Sequence, residues 1–282
     1  MSHPSIQNKV ALVTGASAGI GKAIVRRLLS DGWTVYGAAR RVDHMADIQS
    51  EGAKIVSLDV TDDPNMTIAV QSIFDAEGRI DTLVNNAGYG SYGAIEDVPL
   101  DEVRRQFEVN VFGLARLTQL VLPHMRAARS GSVVNISSMG GRIWMPIGGW
   151  YHATKHALEV MSDALRMEVK PFGINVVVVQ PGAIESEWAD ISISNMQKAS
   201  VSSAYRAMID PVHKAMTTFS DAGSPDVIAA AVSKAVNSPK PRRRYAAPID
   251  AKVSIFMHWL LPEAMWEGMI SMILSKFSPK SA

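Results

Sequence analysis

Residues 9–21 read KVALVTGASAGIG, and this stretch decides the fold. Its first part, Lys9–Thr14, is a short apolar run that ends at a glycine turn, which is typical of a buried strand. The glycines that follow, in G-x-x-x-G-x-G spacing, permit a tight turn and a close approach of backbone to a pyrophosphate. A helix predicted over Ile20–Ser30 would offer that phosphate free N–H groups and a favourable dipole. This order predicts a dinucleotide-binding unit, although a generic strand-to-helix turn would also explain the glycines taken alone.

Beyond this unit, short apolar runs alternate with segments of helical pattern. The further predicted strands are Trp33–Ala39, Lys54–Leu58, Arg79–Val84, Ser132–Ile136, Ile174–Val179 and Arg244–Ala247. The further predicted helices are Asp63–Ala76, Leu100–Arg129, Trp150–Val169 and Pro225–Asn237. This alternation predicts an α/β fold, a doubly wound Rossmann sheet of about seven mainly parallel strands with helices on both faces. We expect one dinucleotide-binding catalytic domain over residues 1–282, with a substrate-loop insertion at about 183–224 and a C-terminal helical extension at about 249–282.

The composition narrows the classes of protein to which the chain can belong. Its 282 residues suffice for one large α/β domain, and a net charge of +1 gives no general electrostatic case for binding nucleic acid. The absence of cysteine excludes disulfides, thiol nucleophiles and cysteine metal sites, and it suits a reducing cytoplasm. The N-terminal residues lack the pattern of a signal peptide, and no uninterrupted apolar run is long enough for a transmembrane helix. We therefore expect a cytoplasmic protein.

The end of the second predicted strand indicates which dinucleotide fits. An acidic residue there would hold the 2′-hydroxyl of the adenosine ribose, but the strand ends Ala38-Ala39-Arg40-Arg41 and no acid comes before Asp43. Arginine suits a 2′-phosphate through charge-assisted hydrogen bonds. The sequence thus favours NADP(H) over NAD(H), with Arg40 as the first choice of phosphate ligand and Arg41 as the second. The alternative is that at least one of these side chains points into solvent.

A second pattern, in WYHATKHALEVM, concerns catalysis. Tyr151 and Lys155 share a helix face four residues apart, and Ser138 lies thirteen residues before Tyr151. An ammonium beside a phenol lowers the pKa of the phenol, and a nearby hydroxyl can hold a carbonyl or carbinol oxygen. Together these groups would protonate or deprotonate an alcohol oxygen. His152 and His156 on the same helix have neither the adjacent glutamate nor the cysteine that a zinc site would need, so we expect no metal.

These patterns, with others that occur in the same order, resemble the short-chain dehydrogenases/reductases in their single-domain branch. The matching motifs cover about residues 9–182 and are TGASAGIG (14–21), Asp59-Val60, NNAG (85–88), Asn110 in EVNVFG, Ser138 in NISSMGG, Tyr151-x-x-x-Lys155 and Pro181-Gly182. The tail beyond about Arg244 is similar to that of hydroxysteroid and retinol dehydrogenase-like members. The resemblance implies reversible hydride transfer between NADP(H) and a carbonyl/alcohol pair, and the tail implies an apolar or bulky substrate.

The resemblance also implies a role for each matching residue. Tyr151 is the expected general acid/base, and Lys155 lowers its pKa and binds the nicotinamide ribose. Ser138 positions the substrate oxygen, and Asn110 holds a water that relays protons to Lys155. Where the family often has a threonine after Pro-Gly, Ser186 takes its place here. The residues expected to bind the cofactor are Gly15, Ser17, Gly19, Ile20, Gly21, Arg40, Arg41, Asp59, Val60, Asn86, Ala87, Gly88, Tyr151, Lys155, Pro181, Gly182, Ile184 and Ser186.

We therefore expect an NADP(H)-dependent oxidoreductase, a short-chain alcohol dehydrogenase or carbonyl reductase, that acts on small-molecule primary or secondary alcohols or the corresponding carbonyls. Two alternatives stay open: an NADP-binding sensor or scaffold protein without turnover, and an epimerase in which hydride returns to the substrate. The expected assembly is a homodimer or homotetramer without a nucleic acid partner. The apolar stretch Val253–Leu274, which Pro262 divides into two amphipathic pieces, would cover the cleft, pack between subunits or contact a membrane; membrane contact is not favoured.

Overall fold

The computed structural model describes residues 9–185, 192, 196, 203–218 and 223–278. Seven strands form one sheet in the order β3-β2-β1-β4-β5-β6-β7. The strands are β1 (Val10–Thr14), β2 (Thr34–Ala39), β3 (Lys54–Ser57), β4 (Thr82–Asn85), β5 (Gly131–Ile136), β6 (Ile174–Pro181) and β7 (Arg244–Ala247). Every neighbouring pair is parallel. The predicted doubly wound Rossmann sheet is thereby confirmed, and its strand order reverses between β1 and β4.

Helices cover both faces of this sheet. Those in the described residues are α1 (Gly19–Ser30), α2 (Ala46–Ser50), α3 (Asp63–Glu77), α4 (Leu100–Phe107), α5 (Leu114–Ala128), α6 (Gly149–Val169), α7 (Arg206–Thr218), α8 (Pro225–Val236), α9 (Ile249–Leu260) and α10 (Glu263–Ser275). Ala11 and Val13 of β1 lie in one core with α1 and α8, whereas Val10 and Leu12 lie in a second core with α3 and α5. Since successive strand residues point to opposite faces, a strand covered on both sides must be apolar throughout.

We predicted one continuous helix over Leu100–Arg129, and this prediction is wrong because the helix is interrupted. Helix α4 ends at Phe107, a π-helical turn follows at Glu108–Gly113, and α5 then begins at Leu114. At Gly113 the helix packs so closely on the chain after β3 that a Cβ there would lie 2.2 Å from the carbonyl oxygen of Val60. The extra residue of the turn brings Asn110 inward, where its side chain is fully buried.

The segments that we expect to be a substrate-loop insertion and a C-terminal extension contain helices that pack together. Helix α7 lies in the insertion, and α9 and α10 are separated at Pro262, as the sequence indicated. Trp266 and Ile270 of α10 share a third apolar core with Ile209 and Val212 of α7. No helix in the described part of the chain is both long and apolar enough to cross a membrane.

The parallel arrangement also fixes where a ligand would bind. The chain leaves the carboxyl ends of β1, β4, β5 and β6 at one edge of the sheet, where Gly15–Gly21, Asn86–Gly88, Ser137–Ser138 and Pro181–Ile184 come together. This edge lies beside the reversal of strand order, which is the usual ligand position in open α/β sheets.

Candidate active site

A cavity of about 760 Å³ opens at this edge of the sheet. Every residue that the sequence predicted to bind the cofactor, and that the structure describes, lines the cavity; Ser186 lies outside the described residues. Ser138, Tyr151 and Lys155 line the same cavity, whereas Asn110 lies behind its wall. The sequence motifs, which span some 170 residues of chain, therefore converge on one place.

The glycine-rich turn is held in shape by close packing within the turn and by hydrogen bonds from the residues that follow β4. A Cβ on Gly21 would lie 2.2 Å from the carbonyl oxygen of Gly15, so no larger residue fits there. Asn86 Nδ2 donates to the carbonyl oxygen of Thr14 at 2.9 Å, and the amides of Asn86 and Ala87 both donate to Thr14 Oγ1 at 3.0 Å. The side chain of Asn86 thus holds the turn in shape, which explains why an amide residue follows the fourth strand.

The first turn of α1 fits a dinucleotide phosphate group. Its N-cap residue, Ala18, makes no side-chain cap, and no acidic residue stands in the turn. The amides at this end of the helix therefore face the cavity without a competing carboxylate, and the positive end of the helix dipole is directed at it.

The two arginines after β2 stand at the mouth of the cavity in different surroundings. Arg40 is 65% exposed, and its Nη1 lies 3.8 Å from Asp59 Oδ2. Arg41 is also exposed, and its Nη2 donates to Ser17 Oγ at 3.2 Å. Ser17 belongs to the glycine-rich turn, so Arg41 closes the gap between that turn and the end of β2.

Tyr151 and Lys155 lie on the cavity face of α6, and both are buried. Lys155 Nζ donates to the carbonyl oxygen of Ile136 at 3.0 Å and lies 5.9 Å from the centre of the Tyr151 ring. Burial lowers the pKa of Lys155 to about 8, and the charge of Glu159 acts in the opposite direction. Both the ammonium and the phenol are therefore largely removed from water.

The pKa of Tyr151 differs from the sequence-based expectation. Burial raises it to about 12, and a side-chain hydrogen bond with Ser138 opposes this increase. The sequence predicts that Lys155 lowers this pKa, but the Lys155 ammonium is directed at the Ile136 carbonyl. Ser138 Oγ in turn accepts a hydrogen bond from the Gly140 amide at 3.0 Å, so the hydroxyl proton of Ser138 can be donated to the Tyr151 oxygen.

Asn110 is held in the π-helical turn by bonds to the chain around it. Its Oδ1 accepts from the Tyr89 amide at 3.0 Å, and its Nδ2 donates to the Tyr89 carbonyl oxygen at 2.8 Å and to Thr154 Oγ1 at 3.2 Å. A Cβ on Gly88 would lie 3.1 Å from Asn110 Oδ1 and 3.7 Å from Lys155 Nζ. Asn110 and Lys155 therefore stand on the same side of Gly88, and the water-holding role of Asn110 stays a prediction.

Several residues that face the cavity were not predicted as functional. The ring of Tyr92 lies 5.6 Å from that of Tyr151, and His152 is buried beside both. The rest of the wall beyond Tyr151 is largely apolar and is formed by Met139, Ile143, Met145, Val212, Ala215 and Met216. No motif marks Tyr92. Gly140 and Gly148 are the sequence signal for His152, because a Cβ on Gly140 would lie 2.7 Å from Nδ1 of the ring and a Cβ on Gly148 2.8 Å from Nε2.

The C-terminal extension reaches the site through Asp250, in the first turn of α9. Its Oδ2 accepts a hydrogen bond from the Ala183 amide at 2.8 Å, while the neighbouring Gly182 amide donates to the carbonyl oxygen of Ala247 at 2.9 Å. The segment Pro181–Ile184, which lines the cavity, is thus held from the side of β7 and α9.

A buried polar network lies one to two turns further along α6, beyond Lys155. Glu159 Oε1 accepts from Gln180 Nε2 at 2.9 Å, and Glu159 Oε2 accepts from Arg244 Nε at 2.8 Å. Arg244 also donates to Asp163 Oδ2 at 2.6 Å. These bonds connect α6 to β6 and β7.

In the described ranges no group of three or more histidine, aspartate or glutamate side chains is arranged to hold a metal ion.

Known proteins are similar to this chain in sequence and in fold. The family sequence model described as short chain dehydrogenase matches residues 9–197. A 3-ketodihydrosphingosine reductase of Bacteroides thetaiotaomicron is 40% identical over 185 residues, which are 66% of this chain and 67% of that protein. An NADPH-dependent 3-dehydrocapnine reductase of Ornithobacterium rhinotracheale is 33% identical over 285 residues, which cover 97% of this chain and 100% of that protein.

Among solved structures, a short-chain dehydrogenase from Streptomyces avermitilis has the same fold, with a TM-score of 0.80 and 36% sequence identity. The similarity covers 94% of this chain and 96% of that one. The ordered motifs, the seven-stranded parallel sheet and the match over most of the length agree, and the chain belongs to the short-chain dehydrogenase family of oxidoreductases.

Proposed function

We propose that the protein is an NADP(H)-dependent carbonyl reductase or alcohol dehydrogenase that acts on apolar or bulky substrates, with Tyr151 as the general acid/base. The observation that carries this proposal is the presence of Tyr151, Ser138 and Lys155 in the same cavity as the glycine-rich turn. A sensor or scaffold protein would have no need for an acid, a hydroxyl donor and a buried ammonium next to its dinucleotide site.

The described residues fit NADP(H). The uncapped first turn of α1 suits the pyrophosphate, and Arg40, Arg41 and Ser17 would surround a 2′-phosphate with charge-assisted and neutral donors. When bound, NADP(H) supplies or accepts the hydride. The relative from Ornithobacterium rhinotracheale, whose name includes NADPH dependence, supports the same choice of cofactor.

The protonation states of the site favour carbonyl reduction. A pKa of about 12 keeps the Tyr151 phenol protonated at neutral pH, so this group is ready to donate a proton to an oxygen that becomes negatively charged. Ser138, whose oxygen already accepts from the Gly140 amide, would donate its own proton to the same substrate oxygen. Lys155 is positively charged below a pH of about 8 and would stabilise negative charge in this region.

An apolar or bulky substrate is supported by the wall of the cavity. Methionines 139, 145 and 216 adapt to varied apolar shapes, and α7 and α10 add a continuous apolar core behind them. The relatives from Bacteroides thetaiotaomicron and Ornithobacterium rhinotracheale are named as reductases of 3-ketodihydrosphingosine and 3-dehydrocapnine.

We further infer that the chain forms one catalytic domain and works as a homodimer or homotetramer. The single sheet, which includes β7 next to the C-terminal extension, supports one domain. Large apolar side chains on the outer faces of α9 and α10, among them Phe256, Trp259 and Leu260, are exposed and would suit a contact between subunits. Light scattering during size-exclusion chromatography measures the assembly directly. A cytoplasmic location stays a prediction.

The test of this function is a screen of NADPH oxidation with steroid, retinoid, quinone, sugar and small aldehyde carbonyl compounds, followed by the Tyr151→Phe variant. Phenylalanine keeps the ring but has no proton to transfer, so turnover should fall by about 10²–10⁴-fold while NADPH still binds. The matched control is Tyr245→Phe, the same chemical change on β7 outside the cavity. Turnover near the wild-type value in Tyr151→Phe would refute the assignment, and product epimerisation without net NADPH consumption would favour an epimerase.

A further inference from the structure

His152 follows Tyr151 in α6 and lines the same cavity. Only 6% of its surface is exposed. Its Nδ1 lies 2.9 Å from the carbonyl oxygen of Gly140. A carbonyl oxygen can only accept a hydrogen bond, so Nδ1 must carry the proton of this contact.

The other ring nitrogen of His152 is then an acceptor without a donor. Burial lowers the pKa of His152 to about 4, so the ring is neutral at ordinary pH and Nε2 has a lone pair and no proton. Nε2 is buried, and no described group makes a hydrogen bond to it. Buried polar atoms in native proteins nearly always have a partner, so the lone pair calls for an N–H or O–H group from elsewhere.

The surroundings of Nε2 determine where such a donor can come from. The Tyr92 ring lies 6.4 Å from the His152 ring, and the Tyr151 ring lies 5.8 Å away. A Cβ on Gly148 would lie 2.8 Å from Nε2 and 2.8 Å from Tyr92 Cε1, so a glycine keeps this corner open. Most of the remaining cavity wall near these rings is apolar and offers no donor.

We propose that His152 Nε2 accepts a hydrogen bond from a hydroxyl or amine donor that the substrate carries close to its carbonyl group. His152 is thus a specificity-determining residue, and the substrate class narrows to apolar ketones with a neighbouring hydroxyl or amine. The short distance between the His152 and Tyr151 rings places the donor on a carbon near the one that is reduced. This inference rests on the proposed carbonyl reduction.

The experiment compares three ketones of equal chain length: decan-3-one, 2-hydroxydecan-3-one and 1-hydroxydecan-3-one. Wild-type enzyme should reduce at least one hydroxyketone with a kcat/KM about tenfold or more above that of decan-3-one, because only the hydroxyl satisfies Nε2. In His152→Asn, the amide nitrogen can still donate to the Gly140 carbonyl oxygen, but no acceptor reaches the position of Nε2. The preference for the hydroxyketone should therefore disappear.

The matched control is His156→Asn, the same substitution one turn further along α6. His156 Nδ1 contacts the carbonyl oxygen of His152, and His156 does not line the cavity, so this variant should keep the preference. Titration with NADPH shows whether each variant is folded. Equal kcat/KM for the three ketones in the wild type, or a preference that survives in His152→Asn, overturns the inference while the carbonyl reductase itself stands. If the wild type reduces none of these ketones and none of the carbonyl compounds in the screen, both the inference about His152 and the proposed carbonyl reductase activity are refuted.

A second measurement does not depend on turnover or on the variant's stability. Protein labelled with nitrogen-15 histidine should show an unprotonated Nε2 resonance for His152 that does not titrate between about pH 6 and 8. Addition of the preferred hydroxyketone together with NADP⁺ should move this resonance upfield, whereas decan-3-one should not. A resonance that stays in place with both hydroxyketones overturns the inference.

Discussion

Lys155 Nζ donates a hydrogen bond of 3.0 Å to the carbonyl oxygen of Ile136, the last residue of β5. This bond fixes the ammonium at the carboxyl end of the central strands, beside Gly88 and 5.9 Å from the centre of the Tyr151 ring. A carbonyl oxygen stabilises the charged form, but the burial of the group outweighs this contact and depresses the pKa of Lys155. The charge of Lys155, on which the proposed catalysis would depend, is therefore sensitive to mildly alkaline pH.

The pH dependence of ketone reduction should show this sensitivity. Lys155 loses its proton as the pH rises through about 8, while Tyr151, with a pKa of about 12, stays protonated. We expect kcat/KM for reduction to be level below that pH and to fall above it. In Lys155→Arg the guanidinium keeps its charge, so the fall near pH 8 should be absent even though the absolute rate is lower. If kcat/KM of Lys155→Arg decreases above about pH 8 in the same way, a group other than Lys155 causes the decrease.

The choice between NADPH and NADH should depend on Arg40. Arg40→Ala removes a charged donor from the mouth of the cavity and should weaken NADPH binding by about 10–100-fold, with little effect on NADH. Arg41→Ala should have a smaller effect, since Arg41 already donates to Ser17. Arg104→Ala is the control, because Arg104 pairs with Asp101 on α4 and does not line the cavity. Fluorescence titration with both cofactors measures these affinities, and equal losses for the two would contradict the assignment.

Asp250 should matter for both stability and cofactor binding. Asp250→Ala leaves the Ala183 amide without its acceptor and should lower the free energy of unfolding by about 2 kcal/mol. Because Pro181–Ile184 lines the cavity, the KM for NADPH should rise as well. Asp250→Asn keeps an acceptor oxygen at the same place, so its free energy of unfolding should decrease less and its KM for NADPH should rise less. Urea denaturation and steady-state kinetics test this, and identical behaviour of the two variants would mean that the hydrogen bond is unimportant.

The Glu159 network should contribute to stability more than to chemistry. Glu159→Ala removes the partner of Arg244 and Gln180 and should lower the free energy of unfolding by about 3 kcal/mol. Glu159→Gln keeps a neutral acceptor for Gln180, and Arg244 keeps Asp163, so about half of that loss is expected. Urea denaturation of the two variants measures the difference. A loss below about 1 kcal/mol in Glu159→Ala would show that solvent replaces the network easily.

The strands and the catalytic spacing could be predicted because their signals are local. A strand covered on both faces reads as an apolar run, and Tyr151 and Lys155 share a helix face by spacing alone. The break in the helix at Glu108–Gly113 could not be predicted, because the segment carries a continuous helical pattern. The close approach of Gly113 to Val60 at this turn joins parts of the chain that are far apart in the sequence.

Two other features of the site depend on contacts between distant segments. Asp250 and Ala183 are 67 residues apart, and nothing near either of them in the sequence indicates that they meet. The spacing of Tyr151 and Lys155 predicts a lowered pKa for Tyr151 because it reports the nearby ammonium, but burial, which only the fold determines, has the larger effect.

The π-helical turn at Glu108–Gly113 has a consequence for how this part of the chain tolerates change. A π-helical turn holds one residue more than an α-helical turn, so losing that residue would change the local winding while α4 and α5 keep their orientation. Deleting one residue such as Val109 would restore regular α-helical winding and turn Asn110 away from Tyr89 and Thr154. Substitutions on the solvent side of α4 and α5 should be accepted readily, whereas a change of length by a single residue should not. In an engineered or recombined version of this enzyme, the crossover point should therefore lie outside residues 100–128.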